Sequence, residues 1–104
     1  MKIAVTSQNR KAVTEHAGRC RKFWLYTVNN RQIVDKSLLE LSKEQSFHDS
    51  SPQDEHPLDG IDVLITAGAG TGLSQRLGKK GIHLFITDET EPDTAIQRFL
   101  DTDH

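Results

Sequence analysis

A chain of 104 residues, only 35% of them apolar, reads as one domain, residues 1–104, with a modest core and no room for a separate catalytic domain. No apolar run approaches the ~20 residues that span a bilayer, the opening MKIAVTSQNRK lacks the apolar stretch of a secretory leader, and the lone cysteine has no internal disulfide partner; a cytoplasmic protein without membrane association is expected. Net charge is −2, yet residues 1–36 hold eight Lys and Arg against two acids, and the remainder five against thirteen, so an anionic ligand suits the N-terminal part better than a cation, with a solvated surface as the plain alternative.

In chain order, KIAVTS is short and apolar enough for a buried strand, and KFWLYTV (22–28) is aromatic and β-branched enough for a second. Asn29, Asn30 and Arg31 suit a tight turn because Asn tolerates positive φ, and residues 32–41 then return as a hairpin strand. Residues 42–60, with Pro52, Pro57 and many polar side chains, leave room for a short helix at most. IDVLIT (61–66) and IHLFIT (82–87) are near-continuous apolar runs, expected as strands covered on both faces. Between them, Leu73 and Leu77 mark a helix that stops at Lys79, Lys80 and Gly81, so residues 61–87 form a β-α-β unit. Thr90 and Asp93 around Pro92 read as a capping box opening a last helix that buries Ala95, Ile96, Phe99 and Leu100. The expected architecture is α/β: a single three-layer domain with a five-stranded mixed sheet.

Three segments attract attention as sites. The first is TEHAGRC (14–20), in a connection of about fifteen residues, long for a mere link. His16 offers an imidazole to a metal, Gly18 permits close backbone approach, and Arg19, Arg21 and Lys22 surround Cys20 with charge that would lower a thiol pKa if aimed at it. A surface histidine and a buried apolar cysteine are the bland alternatives. No C-x-x-C or H-x-x-x-H occurs, which argues against a dedicated zinc site. The second is ITAGAGTGL, where Gly68, Gly70 and Gly72 would turn backbone N–H groups toward an anion at a helix N-terminus. It matches neither phosphate-loop nor dinucleotide spacing, and tight packing of the turn would explain glycines equally well. The third is the 42–60 connection with His48 and His56, either a lid or a flexible acidic loop. His83 lies in an apolar strand and His104 ends the chain, so neither joins a site. Ser7, Ser46 and Ser74 have no nucleophile setting and no G-x-S-x-G occurs; an enzyme is not expected.

Taken together, MKIAVTS, HAGRCRKFWLYTV, HPLDGIDVLITAGAGTGLSQRLGKKGIHLFIT and a capped helix ending in FL resemble the dinitrogenase iron–molybdenum cofactor biosynthesis family nearly end to end. The resemblance implies a ribonuclease H-like fold and binding of iron–sulfur or molybdenum-containing clusters. It also implies that His16, followed two residues later by Gly18, matches the family's cofactor-binding histidine, and that Gly68, Gly70 and Gly72 match its glycine turn. The chain departs from the family in the helix between the third and fourth strands, which Pro52 and Pro57 shorten or remove. The expected function is a small carrier that reversibly binds an anionic metal–sulfur cluster for cofactor assembly or delivery and can also exist as an apo form. His16 would ligate, Cys20 could add a second ligand, Arg19, Arg21 and Lys22 would supply the field, and the glycine turn the donors. The expected partners are the cluster and a donor or recipient protein, not nucleic acid. The alternative is a metal-free anion- or nucleotide-binding regulatory module. A nuclease is disfavoured because the first strand has no carboxylate to hold catalytic metals.

Overall fold

The protein is described by a computed structural model covering residues 1–51, 53 and 55–102; Pro52 and His104 lie outside the described residues. The elements are β1 (Lys2–Thr6), β2 (Lys22–Asn29), β3 (Gln32–Glu40), a 3-10 turn (Lys43–Gln45), β4 (Val63–Thr66), α1 (Thr71–Lys79), β5 (His83–Ile86) and α2 (Pro92–Asp101). The five strands form one sheet in the order β3-β2-β1-β4-β5. β2 pairs antiparallel with β1 and β3, whereas β4 pairs parallel with β1 and β5, so the sheet is mixed.

The strand period of two sorts the apolar side chains onto two faces. Ala4, Phe23 and Leu64 join Leu73 and Leu77 of α1 in one core. Ile3, Val5, Tyr26, Val63 and Ile65 join Ala95, Ile96, Phe99 and Leu100 of α2 in the other. The helices therefore cover opposite faces, and the domain has three layers. At the hairpin, Asn30 and Arg31 both take positive φ, 52° and 64°, as a two-residue turn between twisted strands requires. Opposite Val28 the register shifts, so Thr27 pairs with Asp35 but Val28 with Ile33, and the intervening Val34 is left exposed.

Two expectations need correction. β4 is buried throughout, but β5 is an edge strand whose ends, His83 and Ile86, are exposed, and among the described residues no strand pairs beyond it. The capping box of α2 does not form. Its N-cap is Glu91 and makes no side-chain cap bond. Asp93 instead accepts from the Tyr26 hydroxyl at 2.6 Å and from Lys36 Nζ at 3.0 Å, two stronger partners than a frayed backbone amide. Between β3 and β4 the only described helical element is the 3-10 turn. Within that connection Ser46, Phe47, His56 and Leu58 are buried. None of the described helices is long and apolar enough to cross a membrane.

Candidate functional site

The parallel pair β1 and β4 ends at Thr6 and Thr66, and from these carboxyl ends the chain departs in different directions, toward β2 and toward α1. A crevice at such a divergence is a common place for a ligand in α/β sheets. Here a threonine knot ties its walls: Thr6 Oγ1 lies 2.7 Å from the Thr14 carbonyl and 2.8 Å from Thr66 Oγ1. Backbone bonds extend the join, Ala67 N–H to the Thr14 carbonyl (3.2 Å) and Ala17 N–H to the Gly68 carbonyl (3.1 Å). Residues 14–17 and 66–68 are thus laid side by side by these hydrogen bonds, although 48 residues, 18–65, separate them in sequence.

Along this join run two adjacent cavities. One, of about 300 Å³, is lined by Glu15, His16, Gly18, Gly68 and Gly70. The other, of about 460 Å³, is lined by Gly18, His48, Gly70, Gly72 and Arg76. Gly18 and Gly70 border both, so the two form one groove. His16 takes a left-handed backbone, φ 60°, while its carbonyl accepts from the amides of Arg19 and Cys20 at 2.9 and 3.1 Å. Its side chain is 82% exposed, with Nε2 4.0 Å from the Glu15 carboxylate.

The glycines bear on whether the groove holds anything. A Cβ on Gly18, Gly70 or Gly72 would meet no atom within 4 Å, and none of the three has positive φ. Neither packing nor backbone conformation calls for glycine at these positions. What their small size provides is open space over the backbone where the first turn of α1 begins, a turn with no acidic side chain and a dipole that favours an anion.

The remaining expected residues are distributed unequally. Arg19 reaches the groove's rim, its Nη2 3.3 Å from His48 Nε2. Arg21 does not: its Nε donates to the Leu41 carbonyl at 3.2 Å, on a separate surface shared with Lys22 and Glu40. Cys20 is buried, and its thiol donates to the Lys22 carbonyl at 3.1 Å. Burial pushes the thiol pKa up, contrary to the lowering that three neighbouring cations would give if aimed at it, because the sulfur lies in the core, where loss of hydration penalises the thiolate. His56 is also inward, stacked on Phe47 with centroids 4.5 Å apart.

Sequence reasoning missed Arg76. It is buried among Leu73 and Leu77 on the inner face of α1, where a cation three residues after Leu73 was the available signal. Its guanidinium donates to the carbonyls of Phe47 (2.7 Å), Ser50 (3.1 Å) and Ser51 (3.1 Å), which holds the 47–51 segment against α1. Among the described residues no three His, Cys, Asp or Glu side chains gather about one point. A larger depression of about 760 Å³ near β5 and α2 is lined by Glu15, Asp88 and Glu89. Among the described residues its one cation is Arg98, which pairs with Asp88 and Glu89 at 3.6 and 3.0 Å, so the described lining is wrong in charge for an anion.

Residues 1–102 match the family described as dinitrogenase iron-molybdenum cofactor. The chain belongs to this family. A relative from Methanocaldococcus jannaschii, MJ0580, is 25% identical over 103 residues, spanning 97% of this chain and 86% of its own. Among solved structures, PH0822 superposes with a TM-score of 0.73 at 18% identity, covering 96% of this chain and 88% of that one. MJ0327 of Methanocaldococcus jannaschii superposes with a TM-score of 0.72 at 14% identity, covering 97% and 88%. These likenesses concern the fold.

Proposed function

We propose that the protein is a small non-enzymatic carrier that reversibly binds an anionic metal–sulfur cluster, iron–sulfur or molybdenum-containing, in the groove between residues 14–19 and 67–72, and that its fold is ribonuclease H-like. The observation that carries the proposal is the open backbone at Gly18, Gly70 and Gly72 beside an exposed imidazole in a member of the iron-molybdenum cofactor family. A metal–sulfur cluster bearing carboxylate or oxo groups is a bulky anion, for which backbone N–H groups and one or two ligands suffice. Few bonds also favour release to a recipient protein, as a carrier in the cytoplasm requires.

His16 supplies the ligand in this scheme, and Arg19 the screenable part of the attraction. Glu15 opposes it. As 69% of its side chain is exposed, it can turn to solvent, and Glu15→Gln is expected to tighten binding. The test is anaerobic reconstitution with ferrous iron and sulfide, followed by visible absorption. His16→Ala should weaken uptake at least tenfold, about 1.4 kcal/mol, and the deficit should persist at high salt. The Arg19→Gln deficit should shrink as the Debye length falls to roughly 3 Å near 1 M salt. Uptake by His16→Ala equal to that of the parent at every salt concentration overturns the proposal. Equal retention of molybdate and cluster would favour a metal-free anion module instead.

A further inference from the structure

The 42–60 connection holds two described histidines, and the structure treats them differently. His56 commits both ring nitrogens internally: Nε2 is 2.6 Å from the Gln45 carbonyl and Nδ1 accepts from the Leu58 amide at 3.1 Å. His48 lines the groove with its side chain half exposed, and its position is fixed from two sides. Its amide donates to the Gly18 carbonyl at 2.6 Å, which ties it to the loop that carries His16. Arg76 holds its neighbours Phe47, Ser50 and Ser51 against α1.

The ring itself is oriented by two charged partners. Asp49 Oδ1 is 2.9 Å from Nδ1, and Arg19 Nη2 is 3.3 Å from Nε2. A carboxylate only accepts and a guanidinium only donates. Nδ1 therefore carries the proton, and Nε2 presents its lone pair at the rim of the groove. A carboxylate on the distal nitrogen is the arrangement that fixes tautomer and ring orientation in ligating histidines.

We propose that His48, rather than Cys20, is the second protein ligand of the cargo, and that Arg19 covers its Nε2 until the cargo arrives; this rests on the cluster-carrier function proposed above. On binding, the Arg19 N–H leaves Nε2 for an acceptor atom of the anion. The freed lone pair then forms a bond to a metal atom of the cluster, whose labile external ligand departs with its own electron pair. No oxidant or reductant is needed. Asp49 is a positioning residue that acts through the ring.

The test uses the full chain with 15N-imidazole histidine, loaded anaerobically with a cluster assembled from ferrous iron and sulfide, and pulsed EPR of the reduced form. The parent should show two coupled imidazole nitrogens, and His16→Ala and His48→Ala one each. His48→Ala should also lower affinity at least tenfold at all salt concentrations, with an unchanged thermal midpoint since the ring is half exposed. His48→Gln, which keeps an acceptor for Arg19, should behave like His48→Ala. In the free protein, 15N shifts should place the His48 proton on Nδ1, and Asp49→Ala should mix the tautomers. Parental affinity in His48→Ala, or reduced affinity with both couplings retained, overturns the His48 assignment and leaves the groove standing. A parent that takes up no cluster overturns both.

Discussion

The two faces of the sheet are finished in different ways. On the α2 face, Ile96, Phe99 and Leu100 close over Ile3, Val5 and Ile65, and Tyr26, Lys36 and Asp93 latch the start of the helix to β2 and β3. On the α1 face the helix covers only part of the sheet, and Phe47, His56 and Leu58 from the long connection complete the core. The first face is closed by side chains. The second ends in bare backbone at Gly18, Gly70 and Gly72. Stability and binding should therefore respond to substitution on different faces.

The largest stability effect is expected from Phe99→Ala, which empties a site 2% exposed and should cost about 3–5 kcal/mol in urea unfolding while the folded fraction binds cluster as before. A change in affinity would break the separation of faces. Next is His56→Ala, expected to cost about 2 kcal/mol by leaving the Gln45 carbonyl and Leu58 amide without their partner. This residue also gives the α1 face a pH dependence. Burial holds the His56 pKa below its ordinary value, so its contribution is complete above the ~6.5 of an unfolded histidine and is lost as pH falls from there toward the folded value. Thermal midpoints between pH 7 and 5 should show this decline in the parent and not in His56→Ala.

Tyr26→Phe should cost about 1 kcal/mol. The hydrogen bond from Tyr26, with Lys36 beside it, holds the Asp93 carboxyl below the usual range. Its contribution is thus present above the ~3.9 of an unfolded aspartate and lost as pH falls through the folded value. The variant should lose part of that acid sensitivity while binding is unaffected. The smallest effect has the opposite sign. Gly72→Ala, inside the first turn of α1 with no atom within 4 Å of the new methyl, should gain up to about 1 kcal/mol in stability yet weaken cluster binding. A stabilised variant with parental affinity would show that the space over Gly72 is not used.

The strands and helices were legible because their apolar periods are local. Leu73 and Leu77, or Ile96 and Phe99, announce their faces at helical spacing. The edge position of β5 was not, since IHLFIT reads as a buried strand and only the sheet order tells which strand lacks a neighbour. At the site, His16, Gly18 and Gly70 border one groove, but the same string of residues misled for Cys20 and Arg21. Adjacent residues share a charge environment in sequence and point to opposite sides in space: sulfur to the core, guanidinium to the Leu41 carbonyl. In the sequence His48 stands out only as part of a separate segment, and Arg76 is missed, for the converse reason. Their meaning depends on contacts with Gly18 and Phe47, each 29 or 30 residues away.

The most direct measurement of the central claim is an amide NMR map of the protein free and loaded anaerobically with an iron–sulfur cluster. Paramagnetic broadening should erase signals of Ala17, Gly18, His48, Gly68, Gly70 and Gly72, and leave those of Ala95, Ile96, Phe99 and Leu100 sharp. Broadening centred on α2, or spread evenly over both faces, would contradict the assignment of the cargo to the groove.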